Sequence, residues 1–152
     1  MALPNIFDHQ ISEQIVSRIN RLSPEQPALW GKMSVDQMLA HCNVTYEMVY
    51  SDKHPKPGLL KRKVLQLLVK PTVVNEAPYK RSSRTAPAFL IQDNKDFAAE
   101  KRRLIDYIRR TQVLGVKHFE GKESLSFGRL SAVEWNNMFY KHLDHHLSQF
   151  GV

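Results

Sequence analysis

Residues 131–150 read SAVEWNNMFYKHLDHHLSQF, and the reading of this stretch decides the class of fold. Ser131 followed three residues later by Glu134 is a capping-box pattern, in which each side chain accepts from the other residue's otherwise free backbone N–H at a helix start. At 100° per residue, Ser131, Trp135, Met138, Phe139, His142, His146 and Gln149 fall on one stripe. Most of these side chains are large and apolar, so the stripe is expected to face a core. His142 and His146 lie within it, one helical turn apart and on the same face. Two imidazoles buried together need partners, because an unpaired polar group in a core is costly. A metal ion is one such partner; neutral imidazole ligates zinc, nickel, copper and iron.

Three more helices are expected upstream. Phe7, Ile11, Ile15, Ile19 and Leu22 recur at helical spacing over 7–22, with Asp8 as N-cap. The run Ser23-Pro24-Glu25-Gln26-Pro27 breaks that pattern. Ser34 and Gln37 form a second capping box, opening a helix over 35–51 whose main stripe is Val35, Met38, Leu39, Cys42, Tyr46 and Val49. Residues 93–112 form the last of the three, with Phe97, Leu104, Ile105 and Ile108 inward and Lys101 intruding on that side. Between the second and third lies 59–70, LLKRKVLQLLVK, with Leu60, Val64, Leu67 and Leu68 on one side. Its basic character admits a membrane-surface or nucleic-acid role. Twelve residues without an aromatic anchor favour instead a short helix that caps the bundle or covers a pocket. Residues 71–92 and 113–130 are expected to be irregular, with a brief extended piece at 113–116. Four long helices and two long connections predict an all-α chain, one domain over 1–152, arranged as an antiparallel four-helix bundle.

Composition narrows the function classes. The chain has 152 residues, 42% hydrophobic and 24% charged, which is ordinary for a globular protein. No run of 18 apolar residues occurs, so no membrane-spanning helix and no membrane partner is expected. MALPNIFDHQ is not the pattern of a signal peptide, and a single cysteine, Cys42, excludes an internal disulfide framework. These features point to a cytoplasmic protein. The net charge of +7 permits anionic partners. No helix-turn-helix, zinc-finger or aromatic-rich RNA-binding pattern accompanies the charge, which argues against nucleic acid.

The chemistry candidates are histidines. His41 lies to one side of the main stripe of its helix, on a face shared with Ser34, Thr45 and Met48, which can still point inward where a helix meets more than one neighbour. His41 with the His142–His146 pair would supply three nitrogen ligands and leave a position for water or substrate, as catalytic sites do. The HxxxH spacing alone is weak evidence, since helices carry it by chance. Gln149, on the inner stripe, is a candidate to orient a ligand. His145 sits at the stripe edge, and Asp144 is expected to be solvated. Cys42 falls among apolar neighbours and reads as a core residue rather than a nucleophile. His9, His54 and His118 read as exposed.

Residues 29–34, Leu-Trp-Gly-Lys-Met-Ser, with 37–42, Gln-Met-Leu-Ala-His-Cys, resemble the second-helix entry of the DinB/YfiT-like superfamily. The run from Trp135 through Gly151 is similar to its fourth helix, and the likeness takes in the Ala86–Leu90 stretch between them. The resemblance implies an up-down-down-up four-helix bundle, often a homodimer, and a divalent metal, zinc or nickel, held by the residues that match as His41, His142 and His146. It implies a metal-dependent enzyme acting on a small-molecule substrate, of which thiol-dependent S-transferases and hydrolases using low-molecular-weight thiols are examples. Relatives carry a His-Pro pair ahead of a Phe-Gly before the fourth helix. This chain has Ser124-Leu125-Ser126-Phe127-Gly128, which puts the pocket shape and the substrate in question. The competing expectation is a non-catalytic bundle with a structural metal or none.

Overall fold

The computed structural model describes residues 2–152. It is predominantly helical. Helix α1 spans His9–Asn20, α2 Val35–Tyr50, α3 Leu59–Val64 and α4 Lys70–Val74, with a π-helical turn at Leu65–Val69 joining the last two. A 3₁₀ turn at Pro87–Phe89 precedes α5, Phe97–Phe119. A two-residue hairpin follows, β1 Glu123–Ser124 antiparallel to β2 Gly128–Arg129, and α6 runs Ala132–Gln149. No helix among the described residues is long and apolar enough to cross a membrane.

The helix starts follow local chemistry. Both capping boxes form, at Ser34 with Gln37 and at Ser131 with Glu134. The Asp8 carboxylate accepts from the Gln10 N–H at the start of α1. Helix α5 begins later than the sequence suggests, because Asp96 rather than Asp93 caps it, accepting from the Ala99 N–H. It also ends later. The predicted extended piece at 113–116 is absent, and helix continues to Phe119 across a break at Gly115, whose φ of 69° and ψ of −179° suit glycine almost alone.

The four longer helices share one buried cluster. Helix α2 packs along α5, α1 packs against α5, and α6 touches all three. An aromatic stack forms the centre: Tyr46 on α2 lies 5.0 Å from Phe139 on α6, which stacks at 5.4 Å on Trp135. Phe119 meets both rings edge-on, and Phe7 stacks on Phe119 at 5.2 Å. Every residue of α2 from Met38 to Glu47 is buried, so this helix has no outer face over its middle turns. That brings His41 inside although it lies off the main apolar stripe. Cys42 is buried, and burial pushes its thiol far up, consistent with a core residue.

The stretch from Leu59 departs from expectation in two ways. The helix begun at Leu59 runs on through Pro71 to Val74. Proline cannot donate to a carbonyl one turn back and crowds the preceding turn; the wider π-helical turn at Leu65–Val69 accommodates it. This helix also does not cover the bundle with its leucines. Leu59, Leu60, Leu67 and Leu68 face outward, while Arg62, Gln66 and Lys70 face the body of the protein. Arg62 pairs with Glu123, and Lys70 Nζ lies 2.9 Å from Glu134.

Candidate metal centre

The structure brings His41, His142 and His146 together. One ring nitrogen of each lies within 4.8 Å of the others, and His41 Nε2 stands 3.0 Å from His142 Nε2. His41 and His146 are buried, and His142 is half-buried. Zinc–nitrogen bonds of 2.0–2.1 Å at tetrahedral angles place ligand nitrogens about 3.3 Å apart, so the spacing of the closest pair suits a shared ion.

What holds the three rings is a second set of contacts, one on each Nδ1. The Phe89 carbonyl accepts from His41 Nδ1 at 2.9 Å. A carbonyl cannot donate, so neutral His41 carries its proton on Nδ1 and keeps a lone pair on Nε2. His146 Nδ1 donates to Gln149 Oε1 at 2.8 Å. The Gln149 amide is itself oriented, because its Nε2 donates to the Trp30 carbonyl at 2.7 Å, and the lone pair of His146 is left on Nε2. His142 Nδ1 lies 3.1 Å from Thr45 Oγ1, a hydroxyl able to donate or accept. Carbonyl, amide and hydroxyl partners of this kind fix ring orientation at metal sites.

Electrostatics keeps the ligands neutral. Burial lowers His41, with a smaller opposing effect from the Phe89 carbonyl. Burial, then the neighbouring His146 and His41, hold His142 well below its usual range. Burial and His41 push His146 down to about 3. All three imidazoles are therefore uncharged near neutrality, each with one N–H and one lone pair, as metal ligation requires. Neutral imidazoles are borderline donors that suit zinc, nickel, copper or iron and suit calcium or magnesium poorly. Among the described residues no other group of three or more His, Cys, Asp or Glu is placed to hold an ion.

The remaining candidates fall around this centre. The His145 ring packs at 5.9 Å from Trp30, 5.7 Å from Tyr79 and 5.0 Å from His146. It borders a cavity of about 210 Å³ whose wall includes Trp30, Tyr79, Arg81 and Lys141. Asp144 is not simply solvated but pairs with Arg18 at 2.7 Å. His54 is half-buried and bonds Glu47 at 2.9 Å; His9 and His118 are exposed. Sequence reading missed the roles of Thr45 and Phe89. Thr45 follows His41 by one turn, which was a usable signal. Phe89 comes from a 3₁₀ turn 48 residues away in sequence, which no periodicity marks. Its ring also covers the site, 5.3 Å from His41 and 5.9 Å from His142.

A family described as "Protein of unknown function (DUF1569)" matches residues 5–151, and the chain belongs to that family. No curated protein and no solved structure matches it. The resemblance to the DinB/YfiT-like superfamily is corrected by this result: the matching family is DUF1569, and no DinB/YfiT-like family matches. A capped helix entry and an HxxxH pair arise from helix geometry alone, so such motifs recur in helical proteins without shared family. The dimer and the thiol partner, which rested on that resemblance, lose its support.

Proposed function

We propose that this member of a family of unknown function binds one divalent transition metal, zinc or nickel, through His41, His142 and His146, and uses it as a metal-dependent enzyme on a small-molecule substrate. The observation that carries the reading is the convergence of three rings whose Nδ1 atoms are engaged by Phe89, Thr45 and Gln149. This leaves lone pairs on Nε2 of His41 and His146, while His142 Nε2, which donates to His41 Nε2, becomes a ligand once Thr45 accepts from its Nδ1. With three protein ligands and no fourth carboxylate, thiolate or imidazole grouped with them among the described residues, a coordination position is available to something other than protein. When bound, such a metal supplies Lewis acidity, the common requirement of hydrolysis and of thiol transfer. The chain's own contribution is to hold the three rings, to exclude water with the Phe89 ring and the core behind it, and to keep the ligands neutral. In this reading α1, α2, α5 and α6 are the four members of an antiparallel bundle, with the metal between α2 and α6.

Metal analysis of purified protein tests the site. One divalent ion per chain is expected, absent in a His142→Ala, His146→Ala variant; protein with no divalent ion, or a variant with the same content, overturns the proposal. The covering ring of Phe89 favours a second reading, a metal that is structural and closed to small molecules. The two readings separate on cobalt-substituted protein. A visible spectrum that changes on adding imidazole or a thiol means an open position; an unchanged spectrum means a closed one.

A further inference from the structure

Across residues 59–69 the usual arrangement of a surface helix is reversed. Leu59, Leu60, Leu67 and Leu68 are 84%, 82%, 74% and 73% exposed, and Val64 lies among them, also exposed. The inward side is largely polar: Arg62 reaches Glu123 and the Ser124 carbonyl, and the Gln66 side chain lies against Gly128, with Leu65 half-buried beside them. Ion pairs thus pin the helix to the body with its apolar face toward the surroundings. Isolated exposed leucines are ordinary, but a contiguous apolar strip on one helix marks a contact surface.

The charge around the strip selects its occupant. Residues 53–75 contain six Lys or Arg and no Asp or Glu. Lys61 and Lys63 are exposed, flank the leucines, and make no ion pair among the described residues. Lys53, Lys56, Arg62 and Lys70 pair with Glu47, Glu123 and Glu134, so a second copy of the chain would set Lys61 and Lys63 against their own copies, on a molecule already carrying +7. Protein interfaces are depleted in lysine at their centres. An apolar strip bordered by unpaired lysines matches instead the surface of a bilayer with anionic headgroups, where leucines enter the acyl boundary and ammonium groups stay at the phosphates. A peripheral contact of this kind needs no membrane-spanning helix.

We infer that residues 59–69 dock the protein on anionic lipid bilayers, with Leu59, Leu60, Leu67 and Leu68 inserted and Lys61 and Lys63 at the headgroups. The test is co-sedimentation of full-length, metal-loaded protein with vesicles of phosphatidylcholine alone or mixed with phosphatidylglycerol. Binding is expected only to the mixed vesicles and should weaken as salt rises. Replacing the four leucines by serine is expected to lower the affinity by more than about tenfold. Lys61→Ser with Lys63→Ser is expected to lower it roughly fivefold per lysine. Circular dichroism and metal content, unchanged in both variants, show that the fold persists, as the exposure of these side chains leads one to expect. Wild-type protein left in the supernatant with mixed vesicles overturns the inference. So does equal binding by the leucine variant, which would mean charge attraction without insertion. A dimer in solution that the leucine variant turns into a monomer also overturns it, since the strip would then be covered by a second copy.

Discussion

Gln149 carries more than its place at a helix end suggests. Its amide links the Trp30 carbonyl to the His146 ring, so the loop before α2 and the end of α6 fix one imidazole together. Gly31 lies against that link. Its φ of 83° is a left-handed conformation, and a Cβ there would come within 2.6 Å of Gln149 Nε2. Gly31→Ala is therefore expected to push the amide aside and loosen His146 without removing a ligand. Gln149→Ala removes the same support directly. Loss of such a contact at metal sites typically weakens binding about 10–100-fold. Competition with a chromogenic chelator measures it: both variants should still bind metal, more weakly, and wild-type affinity in both would mean that Gln149 does not support the ligand.

At the scale of elements, α6 organises its neighbours through buried polar groups as well as through its rings. Asn136 binds the N-terminal stretch, accepting from the Ile6 N–H and donating to the Pro4 carbonyl. Asn137 donates to the Val74 carbonyl at the end of α4. Lys141 is buried and spends all three N–H groups on the carbonyls of Thr72 and Asn75 and on Asn75 Oδ1, at 2.7–2.8 Å. Burial lowers its ammonium to about 8, while these three acceptors favour the charged form. Lys141→Met preserves length and apolar packing but leaves the acceptors unpaired, a loss of about 1–3 kcal/mol. Faster amide exchange over residues 70–75 is expected, with α2 and α5 unaffected. Uniformly faster exchange in all helices would show that the lysine supports the whole fold rather than this latch. Glu47 plays a similar part between α2 and α5. Burial would raise its carboxyl, but His54, Lys53 and Arg103 hold it below its usual range.

For the whole molecule, three histidines buried in the neutral form make stability depend on pH. Their folded-state values lie below the usual 6.5, His146 at about 3. Above about pH 6.5 neither the folded nor the unfolded chain binds these protons, and the stability is fully present. Below it the unfolded chain takes up protons that the folded chain refuses, so stability falls as pH falls toward the folded-state values. Each such histidine contributes a loss of about 1.4 kcal/mol per pH unit in that window. Metal-free protein should therefore show a Tm that drops steeply between about pH 7 and about pH 5. Metal-loaded protein at neutral pH should melt higher, since a ligand at 100 times its Kd adds about 2.7 kcal/mol. A flat Tm across that range in metal-free protein would contradict the burial of neutral imidazoles, and equal Tm with and without metal would contradict the site.

Helix class, the two capping boxes and the shared face of His142 and His146 were legible in the sequence, because each depends on residues within a turn or two of one another. A capping box closes over four positions, and an HxxxH pair is one face of any helix that contains it. The rest was decided by packing between distant segments. His41 became an inward residue only because α2 is enclosed on every side. The tautomers of His41 and His146 were set by Phe89 and by the Gln149–Trp30 link, contacts that no period in the chain encodes. The apolar face of 59–70 was legible but its outward direction was not, for the same reason: periodicity identifies an apolar face, but only the neighbours that a helix meets determine whether that face is covered.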